Sequence, residues 1–216
     1  MDRKQLNLTV GAIVLFAVLG MAVAYYLSRA GAPETSPAIQ GLLWPNPKQL
    51  HAFNAVDDNG QGFGLDRLLG KWSFLFFGYT HCPDVCPLTL AVLNQVLRQL
   101  DAGADPGKGQ VIFVTVDPTR DTPQRLLEYV RYFNKDFIGV GGTAAQVQGL
   151  SSQLGVASRM GVKTSAGDYA VEHTASVFLV DPRGRLVSVF SPPLDAGDIV
   201  ARYRSIRDFI AGQPVS

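Results

Sequence analysis

The chain has 216 residues, 47% hydrophobic and 17% charged, enough for one globular domain with a core plus a tail or anchor. A formal net charge of +1 and no basic stripe give no electrostatic case for nucleic acid. The two cysteines, Cys82 and Cys86, fall in one short segment; a disulfide-stapled scaffold spreads its cysteines along the chain, so this pair reads as a site.

Arg3 and Lys4 precede an uncharged run, Leu6 to Leu27. Its length, about 22 residues, suits a helix crossing the hydrocarbon core. Tyr25 and Tyr26 fit an interfacial belt at its outer end. The expected organisation is a cytoplasmic N-terminus (1–5), a transmembrane anchor (6–27), a tether (28–45) rich in Ala, Gly, Pro and Ser, and a globular domain (46–216). Cleavage near Ala30-Gly31-Ala32 is the alternative to an uncleaved anchor. The positive-inside rule puts everything after Leu27 outside the cytoplasm. Because the segment lacks the Arg-rich, amphipathic character of a transit peptide, a single pass through a bacterial inner membrane is expected, with the domain in the periplasm.

Strand and helix signals then alternate. Phe53–Val56 and Gly62–Leu65 flank Asp57-Asp58-Asn59-Gly60, and Asn-Gly predicts a hairpin turn. Trp72–Tyr79 is a short apolar, aromatic run suited to a strand buried on both faces. From Pro83 to Leu100 a helical stripe runs through Leu90, Leu93, Val96, Leu97 and Leu100. Val111–Val116 is a second buried strand. Thr122-Pro123 then opens a helix with Leu126, Leu127, Val130 and Phe133 inward. A short strand at Phe137–Val140 and a helix over Thr143–Leu154 follow. Strands at Val177–Val180 and Leu186–Phe190 join through the turn Asp181-Pro182-Arg183-Gly184. Asp195–Ala211 closes the chain as a helix. This order predicts a thioredoxin-like α/β sandwich behind a single N-terminal transmembrane helix.

The cysteines stand where a buried strand gives way to a helix. Free backbone N–H groups and the helix dipole there favour negative charge, which predicts a lowered thiol pKa. Three residues separate them, which in a helix is one turn on one face. That gap suits a metal held between two sulfurs, or a redox-active pair that closes to a disulfide. As a purely structural bridge it would remove little chain entropy.

The run Phe77-Gly78-Tyr79-Thr80-His81-Cys82-Pro83-Asp84-Val85-Cys86-Pro87 resembles the signature of the Sco/SenC/PrrC family of copper-binding proteins that help assemble cytochrome c oxidase. Val114-Thr115-Val116-Asp117-Pro118-Thr119-Arg120-Asp121-Thr122-Pro123 resembles its second block. Val171-Glu172-His173-Thr174-Ala175-Ser176 resembles the third, which supplies the family's histidine ligand; the family often has Asp-His-Ser where this chain has Glu172-His173-Thr174. The resemblance implies one copper per chain, Cu(I) or alternatively Cu(II), on Cys82, Cys86 and His173. Its implied partners are the copper-bearing subunit of cytochrome c oxidase, other copper chaperones and thiol reductants.

The residue chemistry points the same way. Two thiolates and an imidazole form a soft set that suits copper, and Cu(I) accepts low coordination. Structural zinc ordinarily takes four protein ligands, and no second cysteine pair completes them. Of the three histidines, His51 precedes the domain's first strand and His81 would have to fold back to reach a metal; His173, directly before an expected Ala175–Asp181 strand, would on its own read as structural, and it is the resemblance that implies its role as ligand. Asp117 is a candidate partner standing behind the ligands, or else simply a turn residue. Asp121 reads as a helix cap and Asp84 as serving a helix N-terminus.

Three rival functions are weighed. A thiol–disulfide oxidoreductase would use Cys82 and Cys86 as its catalytic pair, but thioredoxins carry a proline where His173-Thr174-Ala175-Ser176 stands. A peroxidase with a Pro-x-x-x-Thr-x-x-Cys signature fits neither cysteine register. A redox or copper sensor would use the same ligands as a copper donor.

Overall fold

The computed structural model describes residues 15–25, 47–103, 109–162 and 169–212. Residues 15–25 form an exposed helix, α1, in a unit (Met1–Ala38) distinct from the body formed by Ile39–Ser216. The rest of the expected 6–27 anchor and the 28–45 tether lie outside the described residues. Among the described residues no helix is long and apolar enough to cross a membrane.

The body opens with β1 (Lys48–Gln49), β2 (Asn54–Asp57) and β3 (Gly62–Gly64). The expected hairpin joins β2 and β3: Asp57 Oδ1 accepts the N–H groups of Asn59 and Gln61, and Gly60 takes the positive φ of 78° that the turn requires. Then come β4 (Ser73–Gly78), α2 (Val85–Ala102), β5 (Gln110–Thr115) and α3 (Pro123–Phe133), followed by β6 (Ile138–Gly141) and α4 (Ala144–Ser151). The chain ends with β7 (Ser158–Met160), β8 (Val171–His173), β9 (Val177–Val180), β10 (Arg185–Phe190) and α5 (Ala196–Ala211).

Eight strands make one sheet in the order β1-β10-β9-β4-β5-β6-β2-β3. β4 is central, parallel to β5 and antiparallel to β9, and every one of its residues is buried. Its unbroken apolar run therefore feeds two cores, as a strand covered on both faces must. Phe74 and Phe76, with Val111 and Phe113 of β5, face α2, α3 and α5. Leu75 and Phe77, with Ile112 and Val114, face α4 and the β2–β3 hairpin. This is the expected thioredoxin-like sandwich. Because β4 and β5 run parallel, the turn after Gly78 and the loop after Thr115 leave the sheet at one edge, where such folds place their sites.

Three sequence expectations shift. The second helix begins at Val85, not Pro83, so Cys82 lies in the preceding turn rather than one helical turn below Cys86. Pro87 is accommodated because the first helical turn leaves its N–H groups without intrahelical partners anyway. Asp84 is the N-cap, but its side chain makes no capping hydrogen bond. Finally, His173 does not run directly into a strand of the main sheet: it ends β8, which pairs only with β7 in a separate two-stranded sheet. Ser158–Met160 and Val171–His173 each hold a single apolar residue, too few for alternation to reveal a strand.

Candidate metal centre

Cys82, Cys86 and His173 come together although they belong to three different local structures. β4 ends at Gly78, and the Cys82 N–H donates to the Tyr79 carbonyl at 3.1 Å, folding a tight turn that brings Cys82 over the helix start. Cys86, the second residue of α2, is fully buried, whereas Cys82 is partly exposed. Both thiols are free. The ligand atoms of the two cysteines and of His173 all lie within 4.8 Å of one another, and Cys86 Sγ is 3.7 Å from His173 Nε2.

The imidazole is oriented by its other nitrogen. His173 Nδ1 lies 3.1 Å from the Thr174 carbonyl, an acceptor only, so Nδ1 carries the proton and the Nε2 lone pair faces the sulfurs. The ring stands edge-on to Phe76 and Tyr79, with centroids 6.2 and 6.0 Å away. Burial lowers the His173 pKa, holding the ring in the neutral state a ligand needs. Burial pushes the Cys86 thiol the other way, up, with the neighbouring Cys82 adding to the effect. For Cys86 this corrects the expectation of a lowered thiol pKa: desolvation outweighs the hydrogen bond with the Tyr79 backbone, which acts the other way.

Gly78 makes room for this sulfur. A Cβ there would stand 2.7 Å from Cys86 Sγ and 2.8 Å from Phe113 Cε2. The glycine was visible in the sequence, but nothing local marks it as the wall of a sulfur site.

Asp117 and Asp121 are both buried, with different partners. Asp117 accepts from Arg120 Nε and, at 2.9 Å, from the Tyr169 hydroxyl. Asp121 does not cap α3; Thr122 does, its hydroxyl accepting from Arg125 N at 3.3 Å. The Asp121 carboxylate instead accepts from the Thr80 N–H at 3.1 Å and from the Thr80 and Thr115 hydroxyls at 2.6 Å each. It thereby staples the cysteine turn to the end of β5. His81 turns toward this staple, with Nδ1 3.3 Å from Thr80 Oγ1 and 3.8 Å from Asp121 Oδ1, and is not part of the Cys82–Cys86–His173 cluster. His51 is exposed beside Gln153, which accepts its backbone N–H at 2.7 Å.

The sequence model of the family described as SCO1/SenC matches residues 45–208. The chain belongs to the SCO1/SenC family. It is 40% identical over 153 residues to a Stutzerimonas stutzeri protein whose name carries copper binding as a provisional assignment, spanning 71% of this chain and 74% of that one. The structure of Bradyrhizobium japonicum ScoI with copper bound is 37% identical, with a TM-score of 0.64 over 73% of this chain and 99% of that one. Yeast Sco1 with copper bound is 30% identical, with a TM-score of 0.70 over 79% and 92%. The matched span of the family model contains all three residues of the metal-ligand cluster.

Proposed function

We propose that this chain is a copper metallochaperone that delivers copper to, or prepares, the binuclear copper site of cytochrome c oxidase. One copper ion is its cargo, held by the sulfurs of Cys82 and Cys86 and by His173 Nε2. The observation that carries this reading is the convergence of two thiols and one correctly oriented imidazole nitrogen within 4.8 Å. Among the described residues this is the sole cluster of its kind, and three soft donors suit Cu(I), which accepts low coordination. Family membership, and the copper in the Bradyrhizobium and yeast relatives, support copper over other soft metals.

Each ligand has a separate task. Cys86 supplies a buried sulfur fixed against Gly78 and Phe113, and Cys82 supplies one on the accessible turn, where a partner's thiols can compete for the ion. His173 arrives from a separate two-stranded sheet, so the third bond comes from an element that shares no ladder with the cysteine strand. Residues 6–27 would hold the domain at a bacterial inner membrane, facing the periplasm; resistance of the full chain to alkaline carbonate extraction, lost on deleting 1–27, tests that placement.

Titrating Cu(I) into reduced protein tests the site: wild type binds one equivalent, and Cys82→Ser, Cys86→Ser and His173→Ala each bind more weakly. Unchanged affinity in His173→Ala would overturn the three-ligand site. Deleting the gene and measuring copper in the assembled oxidase separates a donor, whose loss lowers it, from a sensor.

A second reading, a thiol–disulfide oxidoreductase, draws on the partly exposed Cys82 beside a second free thiol. Cys82 would attack a partner's disulfide, Cys86 would resolve the mixed disulfide, and two electrons and two protons would pass to the partner. Insulin reduction by wild type and not by Cys82→Ser would favour it.

A further inference from the structure

His173 stands on a two-stranded sheet that shares no ladder with the eight-stranded sheet carrying the cysteines. A short link, residues 174–176, ties His173 to β9, which pairs with β4, but no ladder holds the hairpin itself against the cysteine turn. The described residues show what does. Arg120, on the loop after β5, inserts its guanidinium between two tyrosines: its central carbon lies 3.6 Å from the Tyr169 ring centroid and 5.7 Å from that of Tyr79.

The polar contacts of this group tie the loop after β5 to the segment leading into β8. Arg120 Nη2 donates to the Tyr169 carbonyl at 3.0 Å, two residues before β8 begins. Its Nε donates to Asp117, whose other oxygen accepts from the Tyr169 hydroxyl. Tyr79, the residue after β4, rests edge-on against His173 itself. Arg120 is only 18% exposed at its side chain and Asp117 2%, so the ion pair between them is screened less than a fully exposed one. A guanidinium fork that stacks on aromatic faces while donating sideways is something a lysine cannot reproduce.

We propose that Arg120 and Tyr169 are positioning residues that clasp the His173-bearing hairpin over the cysteines and so set the strength of the third copper bond. This rests on His173 being a copper ligand. Neither residue touches the metal-ligand atoms; both act through His173, Arg120 by way of Tyr79 and Tyr169 as the anchor of β8.

The test is a double-mutant cycle on the full-length chain in detergent, reduced, with Cu(I) partitioned against a chromophoric Cu(I) chelator. Arg120→Ala and Tyr169→Phe are each expected to weaken Cu(I) binding about 10- to 100-fold, the usual range for groups that orient a ligand. Introduced into His173→Ala, the same changes are expected to alter affinity less than about twofold, because the bond they serve is already gone. Arg120→Lys is expected not to restore binding. Tyr169→Phe keeps the ring and removes only the hydroxyl, so it reports even where Arg120→Ala fails to fold. Equal losses with and without His173, or no loss in either variant with His173 present, would overturn the clasp. Failure of His173→Ala itself to weaken binding would instead overturn the ligand assignment.

Discussion

Cys86 Sγ and His173 Nε2 lie 3.7 Å apart although 87 residues separate them in the chain. The Nε2 lone pair, left free by the protonated Nδ1, is an acceptor within reach of the Cys86 thiol proton. Copper would replace that proton, which makes loading a proton-releasing event and places the two residues in competition with solvent acid.

The two thiols differ in their readiness to react. Cys86 is fully buried and its pKa is raised by that burial, whereas Cys82 is partly exposed on the turn. In the metal-free protein at neutral pH, iodoacetamide is expected to alkylate Cys82 well before Cys86. Mass spectrometry of peptides at successive times reads the order directly. Equal rates would mean that α2 frays far enough to expose the second sulfur. Bound Cu(I) should protect both.

Gly78 offers a way to move one sulfur without removing it. Gly78→Ala places a methyl group 2.7 Å from Cys86 Sγ and 2.8 Å from Phe113 Cε2, closer than real contacts allow. Overpacking of this kind costs about 1–3 kcal/mol. The variant is expected to melt several degrees lower and to bind Cu(I) more weakly, because the displaced sulfur no longer meets His173. A calorimetric melt and a chelator competition check the two effects separately; wild-type copper affinity would show that the sulfur has room to retreat.

Much of the body could be read in advance because its signals are local. The apolar run of β4, the stripe of α2, the Asn-Gly hairpin and the Thr122-Pro123 helix start each lie within one window of sequence. The cysteine pair stands out as a candidate site for the same reason, and His173 joins it through the motif around it. What escaped depends on contacts between distant segments. The β7–β8 sheet has no alternation to betray it, and the fate of Asp121 turns on Thr80, 41 residues away. The Arg120–Tyr169 stacking likewise spans 49 residues and follows from no periodicity. The direction of the Cys86 shift was misread because a helix N-terminus is visible in sequence and the depth of a side chain is not.

Asp121 should matter to the turn's shape more than to its charge. Its carboxylate, with no exposed side-chain surface, satisfies the Thr80 N–H and two hydroxyls. Asp121→Ala leaves those donors without an acceptor, and each unsatisfied buried group costs about 1–3 kcal/mol. The variant is expected to lose stability by at least one such increment in urea unfolding. Hydrogen exchange should rise at the Thr80 amide while strands β9 and β10 stay protected. An unchanged unfolding midpoint would show that water replaces the carboxylate at no cost.

The last prediction concerns acid. Burial lowers the His173 pKa below its ordinary value of 6.5, so the folded state prefers the neutral ring. A group depressed in this way contributes stability that is present above the unfolded pKa and lost as pH falls through the folded one. The metal-free wild type should therefore lose stability relative to His173→Gln on acidification below pH 6.5, with the two converging in pH dependence above it. Copper should follow the same nitrogen. Proton and copper compete for Nε2, and burial weakens the proton's side, so the His173 bond is expected to persist in mild acid. Cu(II)-loaded protein titrated from neutral to acidic pH and followed by electron paramagnetic resonance reads the breaking of that bond as the loss of nitrogen coupling. Loss of the coupling already above pH 6.5 would count against the buried, neutral His173 ring as the nitrogen ligand.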